Sequence, residues 1–426
     1  MRAKPITWHN VRSHWTVFLL PIPTLALVAL FSYIPAAGAI THSFFRWDGA
    51  FIEEFVGFLN FRRLLGVPSL WTPVLLAVLA AYCALLTTGS RVQRVWLILA
   101  AIATAVSLVV LGLDAWKSGE PSALGGVWWF GLPLLASGIA TRAGSATARS
   151  WGVGGIYATL LVACIFYLTA VRGYGDALFW MSFQLIFILI IANLFKMWPS
   201  IFTAVCIHRL KSDRAQYLYR VLFVIPMIIP TMVMLLVWKF FYDPNVGPLN
   251  ELLRAMHLDT LLSWLDSAVF RTGAFSDPFR PAWLAEPSLI VPALIFWGFP
   301  WVGVVGVLIY LAGLQNISGE IYEAAELDGI SWWGKFVYLE LPLIMTQIRL
   351  NLILMIIGTF QAFGLQLILL GPEGGPGNKG LTPGLYMFYV GFSQQEYGYA
   401  CAIGLSLFVI ILMLTIINHR FIRVQK

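Results

Sequence analysis

The chain has 426 residues, of which 59% are hydrophobic and 11% are charged, against about a quarter charged in soluble domains. Its mean hydropathy is +0.81 and its formal net charge is +7. This composition excludes a soluble globular domain. Because a spanning helix needs about 20 mostly apolar residues, the long apolar runs predict an all-α, polytopic transmembrane helical bundle.

Ten predicted spans follow one another along the chain. They are residues 17–41, 73–88, 95–113, 124–141, 152–171, 178–207, 221–242, 289–313, 343–370 and 397–418. With the N-terminus in the cytoplasm, the inner segments carry more Lys and Arg per residue than the longer outer segments. Basic residues concentrate on the cytoplasmic side of membrane proteins, so we predict that both termini are cytoplasmic. The same bias explains the net positive charge, and we predict no nucleic-acid partner.

The positions of the acidic residues bear on whether the chain could be an ion-coupled transporter. All 20 Asp and Glu residues lie outside the predicted spans. Ion-coupled carriers usually hold or relay their coupling ion at a carboxylate inside the membrane. The pattern therefore argues against an ion-coupled secondary transporter of a small polar solute, which stays as the alternative hypothesis.

Motifs for catalysis or for a bound cofactor are missing from the sequence. The cysteines lie in apolar runs with no CxxC spacing, the six histidines are scattered, and there is no GxxxxGK[ST], GxSxG or HExxH. These patterns are what metal sites, nucleotide sites and hydrolases require. We predict no enzyme activity, no metal, no cofactor and no nucleotide site on this chain.

Residues 314–342 differ from the other predicted inner segments because they are net acidic. The segment carries Lys335 as its one base, and its acids are Glu320, Glu323, Glu326, Asp328 and Glu340. Acids contribute little to membrane topology, so their presence needs another explanation. An amphipathic interfacial loop and a docking element for a soluble, basic partner both fit the composition.

The local pattern of this segment predicts two short helices joined by a turn. Ser318 suits an N-cap, and Glu320 lies in the first turn, where the helix dipole favours an anion. Gly329 suits the left-handed position after the first helix. Ser331 can cap a second helix, and Pro342 marks the start of the next span.

The stretch AGLQNISGEIYEAAELDGISWWGKFVYLELPLI, residues 312–344, resembles the EAA motif in the membrane subunits of bacterial ATP-binding-cassette importers. The matching positions are Glu323, Ala324, Ala325, Asp328, Gly329, Phe336, Leu341 and Pro342. The resemblance implies that this loop docks a cytoplasmic ATPase, with Glu323 against a basic residue and Gly329 holding the turn. It favours the docking interpretation over the interfacial loop.

Four further stretches are similar to the sugar-importer branch of that family. They are residues 18–49, 55–65, 219–253 and 360–408. The resemblance implies a permease for a sugar, an oligosaccharide or a glycerol-phosphate-type solute in the bacterial plasma (inner) membrane. The partners it implies are two copies of a cytoplasmic ATPase, a second permease subunit, an extracytoplasmic solute-binding protein, the small-molecule substrate and membrane lipid.

The family's usual core has six spans, so four of the ten predicted spans are extra. We divide the chain into residues 1–72, with the first core span and an outer loop; residues 73–177, a four-span insert; and residues 178–426, the permease core. An even number of extra spans keeps the 314–342 loop on the cytoplasmic side. We expect the insert to face lipid or to contact another subunit.

Polar residues within spans are candidates for the substrate path because they are expensive in lipid. The segment FQAF resembles the part of sugar permeases where an amide and an aromatic ring line the substrate cavity. On that resemblance we assign Gln361 and Phe363 to the path, together with Gln366. For each residue, an interhelical hydrogen bond or a packing role stays open. Lys196 and Lys239 are expected to extend toward an interface.

Overall fold

A computed structural model describes residues 19–50, 53–66, 175–276 and 278–421, together with isolated helical positions between 76 and 109. The described part is mostly helical, as the sequence predicts. The four predicted extra spans, 73–88, 95–113, 124–141 and 152–171, lie wholly or largely outside the described residues.

The N-terminal unit consists of a helix, a small hairpin and a second helix. The hairpin strands pair antiparallel, with Phe45 opposite Phe55. The bounds are α1 Ile22–His42, β1 Phe45–Trp47, β2 Glu53–Phe55 and α2 Leu59–Leu65.

The rest of the described chain is a bundle of long and broken helices. Its first half comprises α3 Ala177–His208, α4 Asp213–Val224, α5 Thr231–Phe241, α6 Pro248–Ala255, α7 Leu258–Leu265 and α8 Pro287–Phe296. Its second half comprises α9 Val304–Leu314, α10 Gly319–Leu327, α11 Trp332–Leu343, α12 Met345–Gln361, α13 Gly364–Leu370, α14 Pro383–Phe388 and α15 Tyr397–Phe421.

Among the described residues, three helices are long and apolar enough to cross a membrane: Ile22–His42, Ala177–His208 and Tyr397–Ile416. Three bent pairs also qualify when each pair is taken together, with bends of 84°, 76° and 68°. The described residues therefore hold three candidate spans, or up to six if each bent pair is one span. The 76° bend lies where the 314–342 segment leaves α9, and the 68° bend lies where the segment joins α12.

Three predicted spans are interrupted rather than continuous. The span predicted at 221–242 breaks before Pro230, which has no N–H to continue a helix. The span predicted at 289–313 breaks between α8 and α9, and the span predicted at 343–370 breaks at Ala362 and Phe363. The hydroxyl of Thr382 donates to the Ala362 carbonyl at 2.7 Å. Backbone groups freed by a break need such partners where no water is present.

Helix α3 is the centre of the described bundle. One half of it packs in a buried cluster with α14 and α15, and the other half packs in a second cluster with α9 and Phe336. Helix α1, in contrast, contributes no buried residue to its candidate span. Its apolar surface is therefore available to lipid or to another subunit, as in a membrane protein whose outer surface faces hydrocarbon.

A carboxylate at the start of α3 joins three parts of the fold. Asp176 is the N-cap and accepts from the backbone N–H of Phe179 at 3.2 Å. It also accepts from the hydroxyls of Tyr386 and Tyr399, each at 2.5 Å. The Asp176 N–H donates to the carbonyl of Leu64 at 3.2 Å, which ties α2 to the same point.

This arrangement predicts that Asp176→Ala lowers the thermal unfolding midpoint of the purified protein. The change removes an N-cap worth about 1 kcal/mol and leaves two hydroxyls without their acceptor, at about 1–3 kcal/mol each. Tyr386→Phe and Tyr399→Phe should each cause a smaller drop. Tyr217→Phe, at a residue that is 71% exposed, is the control. Equal midpoints for Asp176→Ala and the control would contradict this role.

Candidate functional site

The first helix of the 314–342 loop, α10, ends in a turn that requires glycine. Gly329 has φ +68°, a left-handed conformation that most side chains avoid. The N–H of Ile330 bonds the Ala325 carbonyl at 3.1 Å, and the N–H of Gly329 bonds the Glu326 carbonyl at 3.0 Å. These two bonds form a Schellman motif. The predicted turn at Gly329 is confirmed.

The caps of the two loop helices differ. Ser318 occupies the N-cap position of α10, but its side chain makes no capping hydrogen bond. Ser331 caps the second helix as predicted, since its hydroxyl accepts from the N–H of Gly334 at 3.1 Å. Glu320 lies in the first turn of α10, where the helix dipole interacts favourably with its negative charge. The first helix is thus stabilised by charge and by its C-terminal turn rather than by a serine cap.

The second helix of the loop is anchored in the bundle by aromatic side chains. Phe336 is only 5% exposed and belongs to the cluster formed with α3 and α9. Trp332 and Phe336 both contact the ring of Phe202 on α3, with ring centroids 5.8 and 6.5 Å apart. This packing fixes the loop against one end of α3.

A buried ion pair makes the same connection and was not predicted from the sequence. Glu340 is fully buried, and its two carboxylate oxygens accept from Arg209 at 2.8 and 2.7 Å. Arg209 directly follows α3, stacks over the ring of Trp332 at 4.3 Å and donates to the Trp332 carbonyl at 3.1 Å. The hydroxyl of Tyr322, on α10, donates to Glu340 at 3.2 Å. The pair therefore links α3 to both helices of the loop.

This pair had a weak signal in the sequence. Glu340 is an acid next to the Leu-Pro pair at the start of a predicted span, and Arg209 is a base at the end of another span. The two residues are 131 positions apart, so sequence alone does not show that they meet. A charge placed at the edge of a span needs a partner or water, and this requirement is the available clue.

The outward surface of α10 is acidic and exposed. Glu320, Glu323 and Asp328 are exposed and make no ion pair among the described residues. Glu326, in contrast, pairs with Lys335 at 2.7 Å, and this hydrogen bond lowers the pKa of its carboxyl. Two predicted docking positions, Glu323 and Asp328, therefore present free negative charge, and Glu320 adds a third exposed acid.

The two alanines of the predicted docking set have different surroundings. Ala324 is exposed and Ala325 is 4% exposed. Leu327, on the same helix, is 90% exposed. The exposed surface of α10 thus combines acids, a small residue and one large apolar side chain.

The predicted substrate-path residues lie at the break between α12 and α13. Gln361 is exposed, and Phe363 is 41% exposed with its ring stacked on Phe388 at 5.7 Å. Gln366 is 1% exposed, and its side-chain oxygen has no hydrogen-bond partner among the described residues. The side chains of Gln361 and Phe363 are thus both accessible, whereas Gln366 lies within the protein.

Two other polar residues of the predicted spans make interhelical hydrogen bonds. Asn193 donates to the hydroxyl of Thr359 at 3.1 Å, and Asn351 donates to the hydroxyl of Tyr310 at 2.6 Å. These contacts favour the packing interpretation for both asparagines.

Known proteins with similar sequences are sugar-transport permeases. A region of 206 residues is 32% identical to the "Diacetylchitobiose uptake system permease protein NgcF" of Streptomyces coelicolor, and it covers 48% of this chain and 52% of that protein. A region of 256 residues is 28% identical to the "Lactose transport system permease protein LacF" of Rhizobium radiobacter, with 58% and 76% coverage. The match thus spans about half the length of the Streptomyces protein.

The fold is similar to that of a solved transporter. A chain in the crystal structure of a bacterial ABC transporter involved in the import of the acidic polysaccharide alginate superposes with a TM-score of 0.52. The two chains are 16% identical, and the match covers 98% of this chain and 99% of that one. A second similar structure is that of a bacterial alginate ABC transporter in complex with an alginate pentasaccharide-bound periplasmic protein, with a TM-score of 0.51 and 15% identity.

The family described as "Binding-protein-dependent transport system inner membrane component" matches residues 198–424. This region includes the 314–342 loop, the broken spans around Pro230 and Phe363, and the Arg209–Glu340 pair. The chain belongs to the family of binding-protein-dependent transport system inner membrane components.

Proposed function

We propose that this chain is the permease subunit of an ATP-driven importer for a sugar, an oligosaccharide or a glycerol-phosphate-type solute. The observation that carries the proposal is the 314–342 loop: an exposed acidic helix held to the bundle by a buried ion pair. Within the family, this loop is where the chain would receive force from a separate ATPase. The ion-coupled alternative has no support from the family match.

The proposed orientation puts both termini and the 314–342 loop in the cytoplasm of a bacterium. Its support is the excess of Lys and Arg in the segments on that side. In this orientation the acidic surface of α10 faces the compartment that holds ATP. Residues 73–177 would be a four-span insert beside the core, in contact with lipid or with another subunit.

The coupling mechanism follows from the charges and the anchoring of the loop. Glu323 would meet a basic residue of the ATPase, with Glu320 and Asp328 adding attraction at the rim. Two ATPase copies would act on this chain and on a second permease subunit. When the ATPase dimer closes, movement of α10 would pass through Tyr322, Glu340 and Arg209 to α3. This is a rigid-body gating step.

The proposed substrate path includes the break between α12 and α13. An amide such as Gln361 offers both a donor and an acceptor, and a half-exposed ring such as Phe363 offers an apolar face. Sugars present hydroxyls and an apolar ring face, so the pair suits them. Gln366 would act from within the protein, by placing α13. An extracytoplasmic solute-binding protein would deliver the solute, as the solved alginate complex illustrates for that transporter.

We predict that Glu323→Ala lowers ATP-driven uptake by about thirtyfold or more, because losing one partner of an interfacial charge pair costs about 2 kcal/mol or more. Gly329→Val should have a similar effect because it forces a left-handed turn on a β-branched residue. The measurements are solute uptake in vesicles and co-purification of the ATPase. Glu373→Ala, at an exposed acid after α13, is the control. Normal uptake in both loop variants would contradict the docking proposal.

We predict that Arg209→Ala destabilises the subunit by about 3–5 kcal/mol, because it leaves the buried Glu340 charge unpaired. Glu340→Ala should be milder, since Arg209 keeps its carbonyl and ring contacts. The double variant Arg209→Met with Glu340→Met should cost less than Arg209→Ala alone. Thermal unfolding midpoints of the four proteins would measure this. A double variant that is at least as destabilised as Arg209→Ala alone would show that loss of the pairing is not what destabilises Arg209→Ala.

We predict that Gln361→Ala and Phe363→Ala raise the half-saturating solute concentration for uptake several-fold, because one hydrogen bond or one ring contact is worth about 1 kcal/mol. The basal ATPase rate should stay unchanged. Phe240→Ala, at a half-exposed ring on α5, is the control for loss of an aromatic side chain. A half-saturating concentration equal to that of the wild type in both variants would remove these residues from the path.

A further inference from the structure

Lys196 is a basic residue in the interior of α3, which spans Ala177–His208. It precedes the end of the helix by twelve residues, which is about 18 Å at the helical rise. A hydrocarbon core is about 30 Å thick, so this position is deep within the bilayer. Charged residues at such depth are costly and mark ion or substrate pathways more often than packing.

The contacts of Lys196 leave its charge only partly compensated. Its ammonium donates to the Trp297 carbonyl at 3.4 Å and lies 5.8 Å from the ring centroid of Trp301. No carboxylate among the described residues forms an ion pair with it. An ammonium has three donors, and a bond of 3.4 Å is long. At least two donors have no acceptor in the described chain.

A structural role explains part of this arrangement. Trp297 follows the last residue of α8, and the C-terminal end of a helix attracts a cation. Ser200, one turn along α3, stabilises the same break: it donates to the Trp301 carbonyl at 3.3 Å and accepts from the Gly303 N–H at 2.9 Å. This role accounts for one hydrogen bond of Lys196 and leaves its other donors unexplained.

Lys196 also lines a cavity of about 360 Å³. The other side chains around it are Ile188, Ile191, Ala192, Phe195, Ile295 and Trp301. The volume falls in the range of small-molecule sites, which are mostly apolar with a few placed polar groups. The cavity is open on one side, where Ile188, Ile191 and Phe195 are exposed, and the placed polar group in it is a cation.

The indoles beside the cavity add further donors. The indole N–H groups of Trp297 and Trp301 are buried and have no hydrogen-bond partner among the described residues. Indole N–H and ammonium groups can only donate. An acceptor is therefore what the side chains of Lys196, Trp297 and Trp301 lack, and the acceptor that matches the positive charge of Lys196 is an anion.

We propose that the Lys196 cavity binds the anionic group of an acidic solute, a uronate carboxylate or a sugar phosphate, as it passes through the bundle. The inference rests on the proposed function and narrows its substrate class. A phospholipid headgroup has the same charge but lies at the membrane surface, whereas Lys196 lies deep in its helix. The solute is therefore the source of the anion.

The test compares two sugars that differ by one carboxylate, cellobiouronic acid and cellobiose, binding to the complete complex in phosphatidylcholine nanodiscs without ATP. The wild type should bind the acid at least about tenfold more tightly, as expected for one charge-assisted hydrogen bond. Lys196→Met should bring the ratio close to one, and Lys196→Arg should keep most of it. Lys239→Met is the matched control, because Lys239 also lies in a predicted span and donates to a carbonyl, that of Ile368, at 3.2 Å.

The proposal would be overturned if the wild type bound the two sugars equally or bound neither of them. It would also be overturned if Lys196→Met kept the wild-type ratio of the two affinities. A second arm uses nanodiscs that contain phosphatidylglycerol. The wild type could retain that lipid and show no preference between the sugars, while Lys196→Met loses the lipid. This result would assign the lysine to lipid binding and would also overturn the proposal. Failure of the proposed function is a separate result: it would appear as wild-type uptake that does not require ATP.

Discussion

Arg209 and Glu340 are two opposite charges at the margin of an apolar bundle, and each lowers the free-energy cost of burying the other. A carboxylate with no exposed surface has lost its hydration, so removal of its partner would leave an uncompensated charge in a medium that screens poorly. The arginine donates one hydrogen bond to each oxygen of the carboxylate, and its planar guanidinium also covers the ring of Trp332. Lysine could not make this bidentate and stacked arrangement. The position of the 314–342 loop depends on this interaction.

For the proposed function, the consequence is that a movement of α10 would be passed on to α3. Helix α10 has an exposed acidic surface, but its other side reaches Glu340 through Tyr322. Helix α3 in turn packs against both halves of the described bundle. A push on the loop would therefore reach the broken spans without passing through a flexible connection. Packing that has two stable arrangements converts a local movement of this kind into a change of the whole bundle.

The broken spans share a second physical requirement. Where a helix stops inside an apolar bundle, its backbone groups need partners from side chains. Thr382 supplies one at Ala362, and Ser200 supplies two at Trp301 and Gly303. These breaks are also where the candidate path residues lie. Irregular backbone in a membrane protein is tolerated where it lines a cavity, which fits the path proposed along these breaks.

The amino-acid sequence by itself determined the class of the protein and the local geometry of its loop. Long apolar runs predict membrane-spanning helices. The turn at Gly329 could also be predicted, because a glycine between two short helical patterns is a local signal. Tertiary structure alone decided which distant groups meet. Three predicted spans are broken, Gln366 is buried while Gln361 is exposed, and Arg209 finds Glu340 across 131 residues. Such contacts depend on how helices pack, and the hydrophobic periodicity of a membrane helix does not specify its neighbours, because lipid and helix surface are equally apolar.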